Sequence, residues 1–281
     1  MVEHRPWNDV IAYAILTFGA FIVAFPVYLA LIASTHDAAT VVSGHMPLSP
    51  GSHILENYYR AVFIGGSRTS REPVGHMLFN SFISAFGIAV GKIFISILSA
   101  YAVTFFRFPF RMVAFWTIFI TLMLPVEVRI MPTYAVMSDM NLINTFPGLA
   151  VPLIASATAT LLFRQTFLVI PDELVEAARM DGAGPWRFLR DILIPVSSSN
   201  LAALFVILFV YGWNQYLWPL LVATDPKLGT IVIGIVKMIG TETETEWNRV
   251  MATAVLALLP PVAVVMLMQR WFVKGLTEGD K

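Results

Sequence analysis

The sequence predicts an all-α membrane protein of six transmembrane helices with both termini on the cytoplasmic side. Three observations predict it. The 281-residue chain is 57% hydrophobic and only 13% charged, whereas soluble domains run near half apolar and a quarter charged. Apolar runs of membrane-spanning length recur along it. The Lys and Arg residues between those runs are denser on alternate sides. A formal net charge of zero points bulk electrostatics toward neither nucleic acid nor an acidic partner. The absence of cysteine excludes disulfides, thiolate chemistry and Cys-type zinc sites.

The apolar runs cover residues 11–33, 77–105, 112–137, 149–170, 201–223 and 251–272. Each has the roughly 20 residues that a hydrocarbon core of about 30 Å requires. The first exceeds a signal-peptide core of about 7–15 residues and lacks a small-residue cleavage site, so it reads as a retained helix. Pro26, Pro125, Pro132, Pro152, Pro219, Pro260 and Pro261 fall inside the runs, where membrane helices tolerate proline if neighbours re-satisfy the freed backbone. Gly87 and Gly91 suit close helix packing. The surrounding GIAVGKI contains Gly-Lys, but its spacing is short for a phosphate loop and Ile93 replaces the required Ser or Thr. No nucleotide site is expected there.

Orientation follows from the flanks. One side holds Arg5, Arg107, Arg111, Arg164, Arg179, Arg187, Arg190, Arg270, Lys274 and Lys281; the other holds Arg60, Arg68, Arg71, Lys227, Lys237 and Arg249. The first set is larger and sits in shorter flanks, which makes it cytoplasmic. The loops 34–76 and 224–250 then lie outside, and a polar block between the fourth and fifth helices lies inside.

That block has its own local logic. Pro171 halts the fourth helix. Asp172 is placed to cap a short helix, with Glu173 and Glu176 in its first turns where the dipole favours them. Ala177 and Ala178 keep its surface flat, and Gly182 stops it after Asp181. Gly184 and Pro185 open a second helix. Trp186, Leu189, Ile192 and Leu193 give that helix an apolar stripe, and Pro195 is expected to end it. Glu176, Arg179, Asp181 and Arg187 are its ion-pair candidates. From the residues alone, a solvated helical loop and a docking knob for a cytosolic partner stand equally open.

The run EAARMDGAGPWRFLRDILIP, 176–195, resembles the EAA loop of ABC-importer permeases, whose pattern is EAA-x₃-G-x₉-I-x-L-P. Glu176-Ala177-Ala178 precedes Gly182 at the family spacing. Ile192 and Pro195 fall in register, with Ile194 in place of the usual Leu. YGWNQYLWPLL, 211–221, is similar to the WN-x-[FY]-x-WPL segment of carbohydrate-type permeases. MQRWFVKGLTEGDK is similar to their C-terminal QR-[YF]-FV-x-GL run, departing from it over Glu278, Gly279, Asp280 and Lys281.

The resemblance implies a type I ABC importer permease fold over a single transmembrane domain, 1–281. Its loop 171–199 would sit in a cleft of an ATPase subunit, with Glu173, Glu176, Ala177, Ala178, Arg179, Asp181, Gly182 and Arg187 as the coupling residues. Implied partners are a second permease subunit in a heterodimer, two copies of the ATPase carrying ATP and Mg, and a periplasmic substrate-binding protein. That binding protein would meet the outer loop carrying Glu242, Glu244 and Glu246. The implied location is the bacterial inner membrane, with no cofactor on this chain and no chemistry of its own. FITLMLPVEVRIMPT (119–133), PLIASATATLLFRQTF (152–167) and HRPW at His4–Trp7 are similar to the sn-glycerol-3-phosphate branch of the family. The implied cargo is glycerol-3-phosphate or a glycerophosphodiester, with a neutral oligosaccharide as the alternative.

Ionisable residues inside a membrane suggest function by default. Glu127 and Arg129 lie between Pro125 and Pro132, about 15 residues at 1.5 Å each from the cytoplasmic end, hence in the outer half. Either Arg129 grips the substrate phosphate with its fork, or Glu127 pairs internally while Arg129 snorkels outward. Lys92 is expected in a structural pairing. Trp213, Asn214, Gln215, Tyr216 and Trp218 crowd the outer half of the fifth helix. An interfacial aromatic belt accounts for Trp218, while Trp213, Asn214, Gln215 and Tyr216 are the pathway candidates, their amides suited to bind hydroxyls or phosphate. His45, His53 and His76 lack metal-like spacing. With no His or Cys in the six runs, an intramembrane enzyme is not expected. A self-sufficient secondary transporter would show internal repeats and a midplane ion site, neither of which the sequence displays.

Overall fold

The computed structural model describes residues 6–43, 45–65, 72–123, 126–239 and 245–277. Arg5, Arg68, Arg71, Pro125, Glu242, Glu244 and Glu278 to Lys281 lie outside them, as do the side chains of Glu127 and Lys274. Every regular element among the described residues is a helix. In chain order the α-helices are α1 (Pro6–Ala33), α2 (Ala38–Val42), α3 (Ile54–Tyr59), α4 (Val74–Phe105), α5 (Arg111–Met123), α6 (Val126–Asp139), α7 (Phe146–Ala150) and α8 (Ala157–Leu168). There follow α9 (Asp172–Met180), α10 (Pro185–Phe188), α11 (Ile194–Val196), α12 (Ser198–Trp213), α13 (Leu217–Val222), α14 (Ile231–Met238) and α15 (Trp247–Thr277).

Three stretches, Asp9–Ala33, Val74–Phe105 and Trp247–Arg270, are long and apolar enough to cross a membrane. Two bent pairs raise the number to five if each is one span: Phe146–Leu153 with Ala157–Leu168 at 54°, and Pro185–Val196 with Ser198–Trp213 at 77°. The expected third segment holds α5 and α6, on either side of residues 124–125, which lie outside the described residues. The expected fifth is interrupted, because α12 ends at Trp213 and α13 begins at Leu217. The cause is Pro219, whose ring would strike the Gln215 carbonyl if one helix ran through. In the fourth, Ser156 restarts the chain: its hydroxyl accepts from the Ala159 N–H at 3.2 Å and caps α8.

The chain separates into two compact units. The first joins Met1–Met77 to Gly234–Leu259. The sequence treats 34–76 as an outer loop, but its described residues include α2 and α3, and Asn57 on α3 is buried. Asn57 Nδ2 donates to the carbonyls of Ser34 (2.9 Å) and His36 (2.8 Å), and its Oδ1 accepts from Asn248 Nδ2 at 2.9 Å. Thr35 Oγ1 accepts from the Gly51 N–H at 2.7 Å. Within this unit Glu246 holds Arg249 at 2.9 Å. His76, expected in the loop, occupies the first turn of α4.

The second unit covers Leu78–Ile233 and Pro260–Lys281. Gly91 on α4 faces Ile154 so closely that a Cβ there would lie 2.6 Å from Ile154 Cγ2, which bears out the small-residue reading of this helix face. Ile88, Ile130, Met137, Leu153, Trp218 and Val222 form one apolar core. A second seam of rings runs Phe82, Phe86, Phe205, Phe209 and Trp213, with neighbouring centroids 5.8–6.1 Å apart, within the range favourable for aromatic pairs.

Candidate functional site

The polar block folds into the helix–turn–helix bracket that its turn signals demand. α9 begins at Asp172 with Pro171 in the capping position, so Asp172 makes no side-chain cap and the helix starts one residue earlier than expected. Gly182 adopts φ +72°, the left-handed region that costs a Cβ-bearing residue about 1–2 kcal/mol. The Ala183 N–H donates to the Ala178 carbonyl at 2.9 Å and the Gly182 N–H to the Arg179 carbonyl at 3.0 Å. This pair of bonds is a Schellman stop, which satisfies the last carbonyls of α9.

α10 opens at Pro185 behind Gly184. Its buried stripe is Phe188, Leu189 and Leu193. Trp186, placed on the stripe by the sequence, is 65% exposed. Two residues advance a helix by about 200°, so Phe188 and Trp186 cannot share a face, and Phe188 takes the inner one. Its ring meets Phe105 at 5.4 Å, while Tyr101 Oη donates to the Pro185 carbonyl at 2.8 Å. Those two contacts anchor the bracket to the end of α4. The only advance signal for Tyr101 was a hydroxyl near the end of an apolar run. The helical path also continues through Pro195 to Val196 rather than ending at the proline. A π turn over Leu189–Leu193 widens the hydrogen-bond pattern, and Pro195 is accommodated where a strict α-helix would clash.

Apart from Ala178, which is buried, the coupling candidates Glu173, Glu176, Ala177, Arg179, Asp181, Gly182 and Arg187 are all exposed. Arg187 pairs with Asp191 at 3.6 Å, one turn on. Among the described residues, Glu176, Arg179 and Asp181 have no ion-pair partner. Between the bracket and the end of α4 lies a cavity of about 300 Å³, lined by Tyr101, Phe105, Arg107, Ala178, Arg179 and Phe188 among others.

The membrane-depth candidates gather where the expected helices break. Arg129, half-buried, borders a small cleft with Ile130, Thr133, Pro152, Leu153 and Trp218. Trp218 is no belt residue: it is 2% exposed, and its indole N–H donates to the Gly148 carbonyl at 3.0 Å. Trp213 is buried and stacked on Phe209 at 5.9 Å. Asn214 and Tyr216 are exposed at the break, and the half-buried Gln215 donates to the Tyr211 carbonyl at 3.1 Å. Lys92, expected in a structural pairing, is 6% exposed and holds its Nζ 3.7 Å above the centre of the Tyr211 ring. Glu127 lies on α6 with its side chain outside the described residues. Among the described residues no group of His, Asp and Glu could hold a metal.

An exposed bracket and broken apolar helices suit a machine that moves cargo under an external drive, and comparison with known proteins agrees. Residues 92–278 match the family model for the inner membrane component of binding-protein-dependent transport systems. The chain is similar to the sn-glycerol-3-phosphate transport system permease protein UgpE of Rhizobium meliloti (strain 1021) at 58% identity. It is 59% identical to the protein of that name in Agrobacterium fabrum (strain C58) and 54% to that in Escherichia coli O157:H7. Each similarity covers 100% of both chains. Among solved structures, a bacterial ABC transporter involved in import of the acidic polysaccharide alginate superposes with a TM-score of 0.79 over 97% of this chain and 99% of that one. At 21% identity that likeness speaks for the fold. The chain belongs to the binding-protein-dependent transport system inner membrane component family, the multi-pass permeases of ABC importers.

Proposed function

We propose that this chain is one permease subunit of an ATP-driven importer that carries sn-glycerol-3-phosphate, or a glycerophosphodiester, across the inner membrane. The carrying observation is 54–59% identity along the whole length to permeases bearing that name in three organisms. Counting α5 with α6 as one span gives six, with both termini and the bracket in the cytoplasm. A second permease subunit completes the pathway, and a periplasmic binding protein delivers the cargo. Two copies of an ATPase, which hold ATP and Mg, receive the exposed face of α9 around Glu173, Glu176, Ala177 and Gly182, together with Arg179, Asp181 and Arg187.

The bracket suits this role because it is exposed toward a partner and firmly fixed behind. Movement imposed on α9 passes through Ala178, Phe188 and Tyr101 into α4, whose inner face borders the broken helices. There Arg129, Glu127, Asn214, Gln215 and Tyr216 are the pathway side chains, and Trp213 supports the wall from behind. Interrupted helices at membrane depth are tolerated only where they are buried in protein or line a cavity.

The test is uptake by proteoliposomes holding the complete complex and its binding protein. Labelled sn-glycerol-3-phosphate should accumulate only with internal ATP. Stimulation of ATP hydrolysis by a neutral oligosaccharide, without response to glycerol-3-phosphate, would overturn the substrate.

A further inference from the structure

Among the described residues of the second unit, Lys92 is the most deeply buried charged side chain. Among the described residues, no acidic group lies within ion-pair distance of it or of Arg129. Its neighbour is the Tyr211 ring face, 3.7 Å away, and packing brings Arg129 to the same core. A purely structural cation at this depth would be expected to pair with a carboxylate or with backbone carbonyls. A tyrosine face alone is a weak partner, and a second cation is a repulsive one.

Sequence spacing and packing put the pair at the breaks. Gly91 presses against Ile154, in the gap between α7 and α8. Ile88, one turn from Lys92, shares a core with Ile130 and Trp218, and those two residues line the Arg129 cleft. Two cations sharing an apolar surround with no described counter-charge form a potential well for a multiply charged anion. Arg129 offers a planar fork and Lys92 a compact point charge, which together suit the oxygens of a phosphate.

We propose that Lys92 and Arg129 jointly seat the phosphate of the cargo, and that Lys92 is a specificity-determining residue for phosphate-bearing substrates. This rests on the importer reading above and adds the residue that favours an anion over a neutral sugar. The Tyr211 face holds the ammonium with a contact that an arriving phosphate can outcompete.

Lys92→Met tests it, because Met keeps volume and removes charge. Uptake of sn-glycerol-3-phosphate by the reconstituted complex should fall at least about tenfold, the equivalent of about 1.4 kcal/mol. Lys92→Arg should restore it to within about threefold, since the charge returns. Assembly is followed by co-purification with the ATPase subunit and by thermal unfolding. A merely structural lysine would be replaced by Met neutrally or with a gain in stability. Wild-type uptake in Lys92→Met overturns the proposal, and so does a Lys92→Arg protein as inactive as the Met variant. If Lys92→Met fails to assemble, Arg129→Gln takes its place under the same criteria. A wild-type complex that ignores glycerol-3-phosphate sinks the substrate reading; an active wild type with a fully active Lys92→Met sinks only the phosphate seat.

Discussion

The indole N–H of Trp218 donates to the carbonyl of Gly148 at 3.0 Å, tying the short helix beyond one break to the first half of another broken segment. Both partners lie in an apolar surround, and Trp218 is 2% exposed. Trp218→Phe retains most of the ring and removes the donor, leaving a buried acceptor short of a partner. The cost should be about 1–3 kcal/mol, seen as a lowered unfolding temperature of the purified complex. A belt residue facing lipid would show no such loss, so an unchanged melting curve contradicts the assignment.

Gly182 can be tested without steric ambiguity. A Cβ at this position meets nothing within 4 Å, yet its φ is +72°. Gly182→Val therefore strains only the backbone, by about 1–2 kcal/mol, and should loosen the stop that aims α9 away from α10. Uptake should drop while the chain still inserts. Gly182→Asn should retain more activity, since Asn adopts the left-handed region more readily. Equal activity in both variants would remove the conformational argument.

Gly212 makes the opposite case. There an added Cβ would stand 2.9 Å from the Ala85 backbone Cα, and backbone atoms cannot swing aside. Gly212→Ala should cost about 1–3 kcal/mol as an overpacked helix contact, measured by thermal unfolding in detergent. Full stability would mean that α12 and α4 have room to separate.

Much of this was legible in the residues. Hydropathy marked the long spans, and the turn chemistry of Gly182, Gly184 and Pro185 marked the bracket because those residues act locally. What escaped notice depends on contacts distant in sequence. Phe188 displaced Trp186 because Phe105 and Tyr101 wait across the bracket. Trp218 became a buried donor because Gly148 lies within reach. The helix α14, Ile231–Met238, hid in an expected loop because eight residues fall far short of a span. Pro219 is visible in the sequence, but the break it forces falls at the carbonyl four residues back, on Gln215.

Asn57 supports a hub on three hydrogen bonds, two of them buried. Asn57→Ala strands the Ser34 and His36 carbonyls and the Asn248 amide, at about 1–3 kcal/mol for a buried group left unpaired. Faster hydrogen exchange across residues 34–57 than in the wild type is the expected signature. Unaltered exchange there would show that the segment holds itself without Asn57.

Arg187 separates stability from coupling. Its partner is Asp191 at 3.6 Å, with the two side chains 70% and 53% exposed. A pair so open contributes at most about 0.5 kcal/mol, so neither Arg187→Ala nor Asp191→Ala should move the unfolding temperature measurably. Their transport phenotypes should diverge. On the proposed docking, Arg187→Ala removes a charge offered to the ATPase and should depress ATP-driven uptake several-fold, an effect that added salt mimics in the wild type. Asp191→Ala breaks the same pair while leaving the guanidinium available, and should transport at or above the wild-type rate. If both variants lose uptake equally, the ion pair itself shapes the bracket and Arg187 has no direct part in docking. If neither does, coupling runs through α9 alone.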